Sequence, residues 1–228
     1  MRQDISITEK EVIVIIFLAM LFSVCESLSI EFNDFFHNYV IFGYRFSFNV
    51  SVVFFCIGFF VIDLITEIYN EKFASYFIYS KIISQCIFIL FGVLSVKLAK
   101  IQGGQIADTF FLAPHVLFDS MIASYFGYKV TGSVMQRLKI KFNGQFLFAR
   151  YLSSTFPGEV VFSLIFTAMC FSGKGSFIDI MNIFVGLICV KFFLSIIFSF
   201  LVIPITNLIK YFLKTDGNSL SISSVQFK

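Results

Sequence analysis

The chain contains no tryptophan, three prolines, two histidines, and charged residues at only 14% of its 228 positions. Each scarcity excludes a class of function. With His37 and His115 alone and no HExxH pair, the chain offers no ligand set for a zinc hydrolase, and no metal site is expected. No GxxxxGK[ST] stretch is present, so the chain has no phosphate-cradling loop of its own and no ATP hydrolysis is expected from it. The five cysteines (Cys25, Cys56, Cys86, Cys170, Cys189) lie scattered through apolar stretches without a CxxC pair. They read as buried thiols packing as small hydrophobes, with no disulfide framework. A net charge of +3, carried by residues beside apolar segments, points to lipid headgroups and not to nucleic acid.

What the chain has in excess is apolar surface: 58% hydrophobic residues, 35 of them Phe, and a mean hydropathy of +0.90, outside the range of soluble domains. Six segments (12–28, 46–68, 74–98, 115–138, 150–171 and 177–203) each suffice to cross about 30 Å of hydrocarbon. No small-residue cleavage site follows the first, so it reads as a retained helix. The expected fold is an all-α bundle of six transmembrane helices over residues 1–214, followed by a polar, Ser-rich, disordered tail at 215–228. Residues 29–45 and 99–114 read as loops, and Pro157-Gly158 is expected to weaken or kink the fifth helix.

Basic residues set the orientation. Arg2, Lys10, Lys72, Arg137, Lys139, Lys141, Arg150, Lys210, Lys214 and Lys228 fall on one side of the spans, against Arg45, Lys97, Lys100 and Lys174 on the other. The positive-inside rule then places both termini in the cytoplasm.

Ions inside the spans are the main functional signal. Asp63 and Glu67 lie one turn apart on the second span and share a face. Asn49, Cys56 and Asn70 fall at sevens from Asp63, which describes a polar seam along an apolar helix. Glu159 on the fifth span and Lys81, Lys129 and Lys191 complete three buried carboxylates and three buried lysines. Lys81 is expected to meet Asp63 and Glu67, while Glu159, Lys191 and Lys129 form a layer nearer mid-membrane. Glu26, Asp119 and His37 read as interfacial or loop residues. Such ions could be structural pairs that fix helix register. Ionisable groups at membrane depth more often face a pathway or pocket, and that reading is preferred for this set.

The segment Asp63-x-x-x-Glu67-x-Tyr69-Asn70, with Lys72-x-Ala74 after it, resembles the signature of the queuosine-precursor transporter family, also called the vitamin-uptake-transporter-like family. Ile122-Ala123-Ser124 with Tyr128 is similar to the family's fourth-span stretch, and Arg150, Ser154-Thr155, Gly158-Glu159 and Phe166 to its fifth. The resemblance implies a plasma (inner) membrane importer of 7-deazaguanine bases such as queuine or 7-cyano-7-deazaguanine, used in tRNA modification. A deazaguanine edge presents an N1–H and an exocyclic amine side by side, which one carboxylate can accept together. Asp63, Glu67 or Glu159 could supply it, with Gln85 or Asn49 serving the carbonyl and Tyr128 stacking on the ring. Lys81, Lys129, Arg150 and Lys191 are then charge-pairing or gating groups.

No cofactor is implied. The partners expected are the small molecule, the bilayer and a second copy of the chain, with no nucleic acid. One alternative is a substrate-capturing subunit of an energy-coupling-factor importer that borrows an ATPase. A second, an intramembrane enzyme, has little to support it, since Ser84 with Lys81 and Ser195 with Lys191 are ordinary helical neighbours.

Overall fold

A computed structural model of the protein describes residues 8–32, 36–41, 44–99, 114–171 and 177–214. Its elements in chain order are α1 (Glu9–Glu31), β1 (Phe36–Ile41), β2 (Tyr44–Asn49), α2 (Ser51–Ile68), α3 (Glu71–Leu98), α4 (Pro114–Lys141), α5 (Leu147–Phe171) and α6 (Phe177–Lys214). The six-helix bundle expected from the sequence is therefore present. Five helices are long and apolar enough to cross a membrane. The exception, α4, has the length but carries Asp119, Lys129, Arg137, Lys139 and Lys141. The expected tail at 215–228 and most of the 99–114 loop lie outside the described residues.

Helix α2 is the axis of the bundle. It packs against every other helix, and 83% of it is buried. A helix surrounded on all sides must be apolar all round, as its run of Phe, Val, Ile and Leu is. The outer helices instead turn Phe17, Met20, Leu90, Phe91, Phe193 and Phe200 outward, the surface a lipid-facing ring requires. Thr8 opens α1 with a reciprocal capping box: its hydroxyl accepts from the Glu11 amide at 3.3 Å, and Glu11 Oε2 accepts from the Thr8 amide at 2.9 Å.

Where α4 and α5 cross, Gly127 and Gly158 let the backbones touch. A Cβ on Gly158 would stand 2.8 Å from the Gly127 carbonyl oxygen, and one on Gly127 would stand 3.0 Å from that of Gly158. Glycine here is a packing device, as at other close helix crossings in membranes. The α4–α5 turn has Asn143, Gly144 and Phe146 at positive φ, with the Gly144 amide closing onto the Lys139 carbonyl at 2.9 Å.

Side-chain contacts identify one end of the bundle. Lys10 lies over the Phe212 ring at 5.3 Å, and Lys139, Arg150 and Lys210 all reach Glu67. The start of α1, the ends of α2, α4 and α6 and the start of α5 thus meet at the basic end, which the charge count assigns to the cytoplasm.

Four expectations need correction. The second span does not begin at Phe46: residues 46–49 belong to β2, which pairs antiparallel with β1 (Phe36 opposite Asn49, Ile41 opposite Tyr44) and lies against α6. Tyr39, Val40, Phe46 and Phe48 are favourable in strands, a local preference that the apolar run following them masks in a hydropathy reading. Asn49 and Asn70 consequently leave the polar seam. Asn70 instead caps α3, its Oδ1 accepting from the Phe73 amide at 2.9 Å.

Helix α6 does not stop before Pro204 but continues to Lys214, about 57 Å in all, so its last turns pass beyond the hydrocarbon and carry Lys210 back to Glu67. Pro157 lies inside α5, which runs on to Phe171. Finally, only Cys25, Cys56 and Cys170 are buried, because the helix faces bearing Cys86 and Cys189 look outward.

Candidate substrate site

Two polar clusters flank α2. The first lies toward α5 and α6 and begins at Asp63, which is wholly buried. Its carboxylate accepts from Ser154 Oγ at 2.9 Å and from Thr155 Oγ1 at 2.5 Å, and among the described residues no lysine or arginine pairs with it. The adjacent hydroxyls follow from the helical position of Ser154-Thr155: successive residues straddle the face that α5 turns to α2. Ser154 also touches Met135 Sδ of α4 at 3.6 Å.

One turn toward the basic end, Glu67 is held differently. Arg150 Nη1 donates to it at 2.6 Å and Lys210 Nζ at 2.8 Å, while Lys139 donates to its backbone carbonyl. Arg150 also donates to the Gln145 carbonyl at 2.7 Å and the Gly144 carbonyl at 2.9 Å, tying the α4–α5 turn to α2. Beyond the span at this end, burial lowers the pKa of Lys139, opposed by the Glu67 charge and reinforced by Lys210 and Arg150. Four helices therefore meet at one residue, two of them through its carboxylate and α4 through its backbone carbonyl.

One turn the other way, Glu159 accepts from Ser195 Oγ at 2.9 Å and from Cys56 Sγ at 3.5 Å, both on Oε1. Its Oε2 is buried with no protein partner. Lys191, a turn before Ser195 on α6, donates to Ser163 Oγ at 3.1 Å and lies 3.7 Å over the Phe162 ring without pairing directly to Glu159. Beyond it lies a small pocket of about 10 Å³, lined by Ser51, Val52, Phe55, Phe162, Phe166, Leu187 and Lys191. Phe162 and Phe166 stack there at 5.6 Å and 13°. Chemically, the column offers hydrogen-bond acceptors at Asp63 and Glu159, a cation at Lys191 and flat apolar walls above.

The second cluster lies toward α1, α3 and α4. Glu26 is buried, ion-paired with Lys81 at 3.2 Å and hydrogen-bonded by the Tyr128 hydroxyl, and Lys81 also donates to Ser124. Edges of Phe22 and Phe59 close on the Tyr128 ring. Gln85, one turn beyond Lys81, is buried with neither amide atom partnered.

The structure thus brings Asp63, Glu67, Glu159, Arg150 and Lys191 into one column but sorts Lys81, Gln85 and Tyr128 into the other cluster. Lys81 meets Glu26 and not Asp63 or Glu67, because α3 packs on the far side of α2. Lys129 leaves the Glu159 layer altogether, donating to Ser75 Oγ at 2.8 Å with its ammonium 5.4 Å from the Tyr79 ring. Asn49 ends β2, its side chain outside the described residues, as is that of His37.

Glu26 and Asp119 are both buried within the bundle, with Cys170 Sγ 3.4 Å from Asp119. Glu26 carries the same sequence signal as Asp63, a carboxylate inside an apolar run, though near the helix end. Hydroxyls such as those of Ser154, Thr155 and Ser195 are too common in membrane helices for sequence alone to mark them as partners of the carboxylates.

The model of one family matches residues 49–209, more than half of the chain and all of the helices from α2 to most of α6. Its description reads Putative vitamin uptake transporter. The chain belongs to that family. No curated protein and no solved structure matches it. Membership together with the apolar helices makes this a multi-pass membrane protein of a small-molecule uptake class, and the column of Asp63, Glu67 and Glu159 lies within the matched region.

Proposed function

We propose that the protein imports a 7-deazaguanine base, a queuosine precursor, across the plasma membrane, and that Asp63 and Glu159 receive it between α2, α5 and α6. The observation that supports this most is the state of the two carboxylates. Both are buried at membrane depth and held by hydroxyls or a thiol instead of a cation, and Glu159 Oε2 has no partner. An acceptor kept dry and unsatisfied costs free energy unless something fills it. A base edge with two adjacent N–H donors does so, and the rings of Phe162 and Phe166 beside Lys191 suit the passage of a flat heterocycle.

In this scheme the Glu67, Arg150 and Lys210 junction seals the cytoplasmic end, and the small pocket beside Phe162 and Phe166 widens to admit the base from the hairpin end. Opening the junction releases the base inward.

The test is uptake of labelled queuine and 7-cyano-7-deazaguanine in cells unable to make queuosine. Asp63→Asn with Glu159→Gln should abolish uptake at normal membrane abundance, whereas unchanged uptake would remove both residues from the mechanism. Uptake of neither base by the unaltered protein would remove the named substrate class. Transport by the purified chain alone in vesicles separates this scheme from a borrowed ATPase.

A further inference from the structure

The second cluster lies across α2 from the carboxylates proposed to receive the base, and it contains a carboxylate in the outer half of the bundle. We propose that Glu26 is a proton-binding site, reached from the hairpin end past Gln85 and Ser120, whose protonation couples uptake to the transmembrane proton gradient. The inference rests on the transporter reading above but not on the identity of the substrate.

Three observations carry it. First, Glu26 is held by an ammonium at 3.2 Å and by a phenol hydroxyl, and each donor keeps an acceptor if the carboxylate becomes neutral. Lys81 would keep Ser124, and Tyr128 would still bond the carbonyl oxygen of the acid.

Second, the approach is polar on one side only. Lys81 and Gln85 are one turn apart on α3, Ser124 and Ser120 one turn apart on α4, and these helices run antiparallel. The Lys81 to Ser124 bond therefore brings Gln85 and Ser120 to a common level about 6 Å nearer the hairpin end. Both Gln85 amide atoms and Ser120 Oγ are buried without partners, which marks a place for water or a hydrated proton.

Third, the carboxylate presses on the helix that bears the substrate site. The Tyr128 hydroxyl and Glu26 Oε1 lie against Gly58, where a Cβ would collide with both. Gly58 sits about 140° around α2 from Asp63, so the proton site and the proposed base site hold opposite sides of one helix.

The other charged and titratable groups around Glu26 are consistent with a single exchangeable proton. Lys81 faces it from α3, Tyr128 from α4 and Cys25 from its own helix, with Lys191 of α6 acting at longer range. The step moves a proton only. Glu26 takes it from water at the hairpin end as the ion pair opens, and returns it to water on the cytoplasmic side once the bundle has changed state, restoring the pair. One proton per base under a gradient of one pH unit sustains at most about tenfold accumulation.

The experiment uses the full chain in detergent and in proteoliposomes. Infrared difference spectra on acidification should show the carbonyl band of a buried carboxylic acid that Glu26→Gln removes and Glu159→Gln retains. In vesicles with an alkaline interior, Glu26→Gln should lose accumulation of labelled 7-cyano-7-deazaguanine above the outside concentration while keeping counterflow at the unaltered rate. Absence of a Glu26 band, gradient-driven accumulation unaffected by Glu26→Gln, or loss of counterflow along with accumulation would each overturn the proposal, the last by showing a register-fixing ion pair. If the unaltered protein moves no deazapurine in either mode, the substrate reading fails, and the infrared result alone decides the proton site.

Discussion

Replacing Arg150 with Ala should be among the most damaging single changes at the basic end of the bundle. The residue is essentially inaccessible and makes three bonds: one to the Glu67 carboxylate at 2.6 Å and two to carbonyls of the α4–α5 turn. Removing one partner of a fully buried ion pair costs about 3–5 kcal/mol. Glu67, however, keeps Lys210, whose side chain is 38% exposed, and a partly exposed pair of that kind contributes only up to about 1 kcal/mol. The orphaned Gly144 and Gln145 carbonyls sit in an exposed turn and can be hydrated.

The expected loss is therefore about 3 kcal/mol, toward the lower end of the buried-pair range. Equilibrium unfolding in mixed micelles measures it, and the cycle with Glu67→Gln should return a coupling of about 1–3 kcal/mol. Arg150→Lys should recover only part of the loss, since a point charge cannot serve Glu67 and two carbonyls at once. A loss below about 1 kcal/mol for Arg150→Ala, or an additive cycle, would refute the claim that this junction holds four helices together.

Two further outcomes are expected. Gly158→Ala should destabilise the bundle by about 1–3 kcal/mol through overpacking, and Thr131→Ala should not rescue it, because the Gly127 carbonyl oxygen remains in the way. Thermal denaturation of the single and double variants decides this, and a fully rescued double variant would mean that only the Thr131 hydroxyl mattered. A small apolar maleimide should modify Cys86 and Cys189 in the folded protein and reach Cys25, Cys56 and Cys170 only after unfolding, as mass spectrometry of the labelled chain would show.

Much of the fold was legible because hydrocarbon imposes a simple rule. A backbone without water must satisfy itself within a helix, so six long apolar runs already specify six helices, and carboxylates placed inside them must face inward. That reasoning located Asp63, Glu67, Glu159 and Lys191 correctly on the interior. It could not choose partners. Asp63 and Lys81 lie within reach by depth alone, but depth says nothing about which side of α2 a neighbouring helix occupies, and α3 carries Lys81 to Glu26 instead.

The sequence by itself determined the membrane-spanning class, the number of helices and the burial of the ions, since each follows from how a residue and its near neighbours meet lipid. Only the tertiary structure decided that the ions divide into two clusters across α2, that Arg150 and Lys210 share Glu67, and that Gly127 and Gly158 set the α4–α5 crossing. Those outcomes depend on the rotation and closeness of helices far apart in the chain, which packing fixes and hydropathy does not encode.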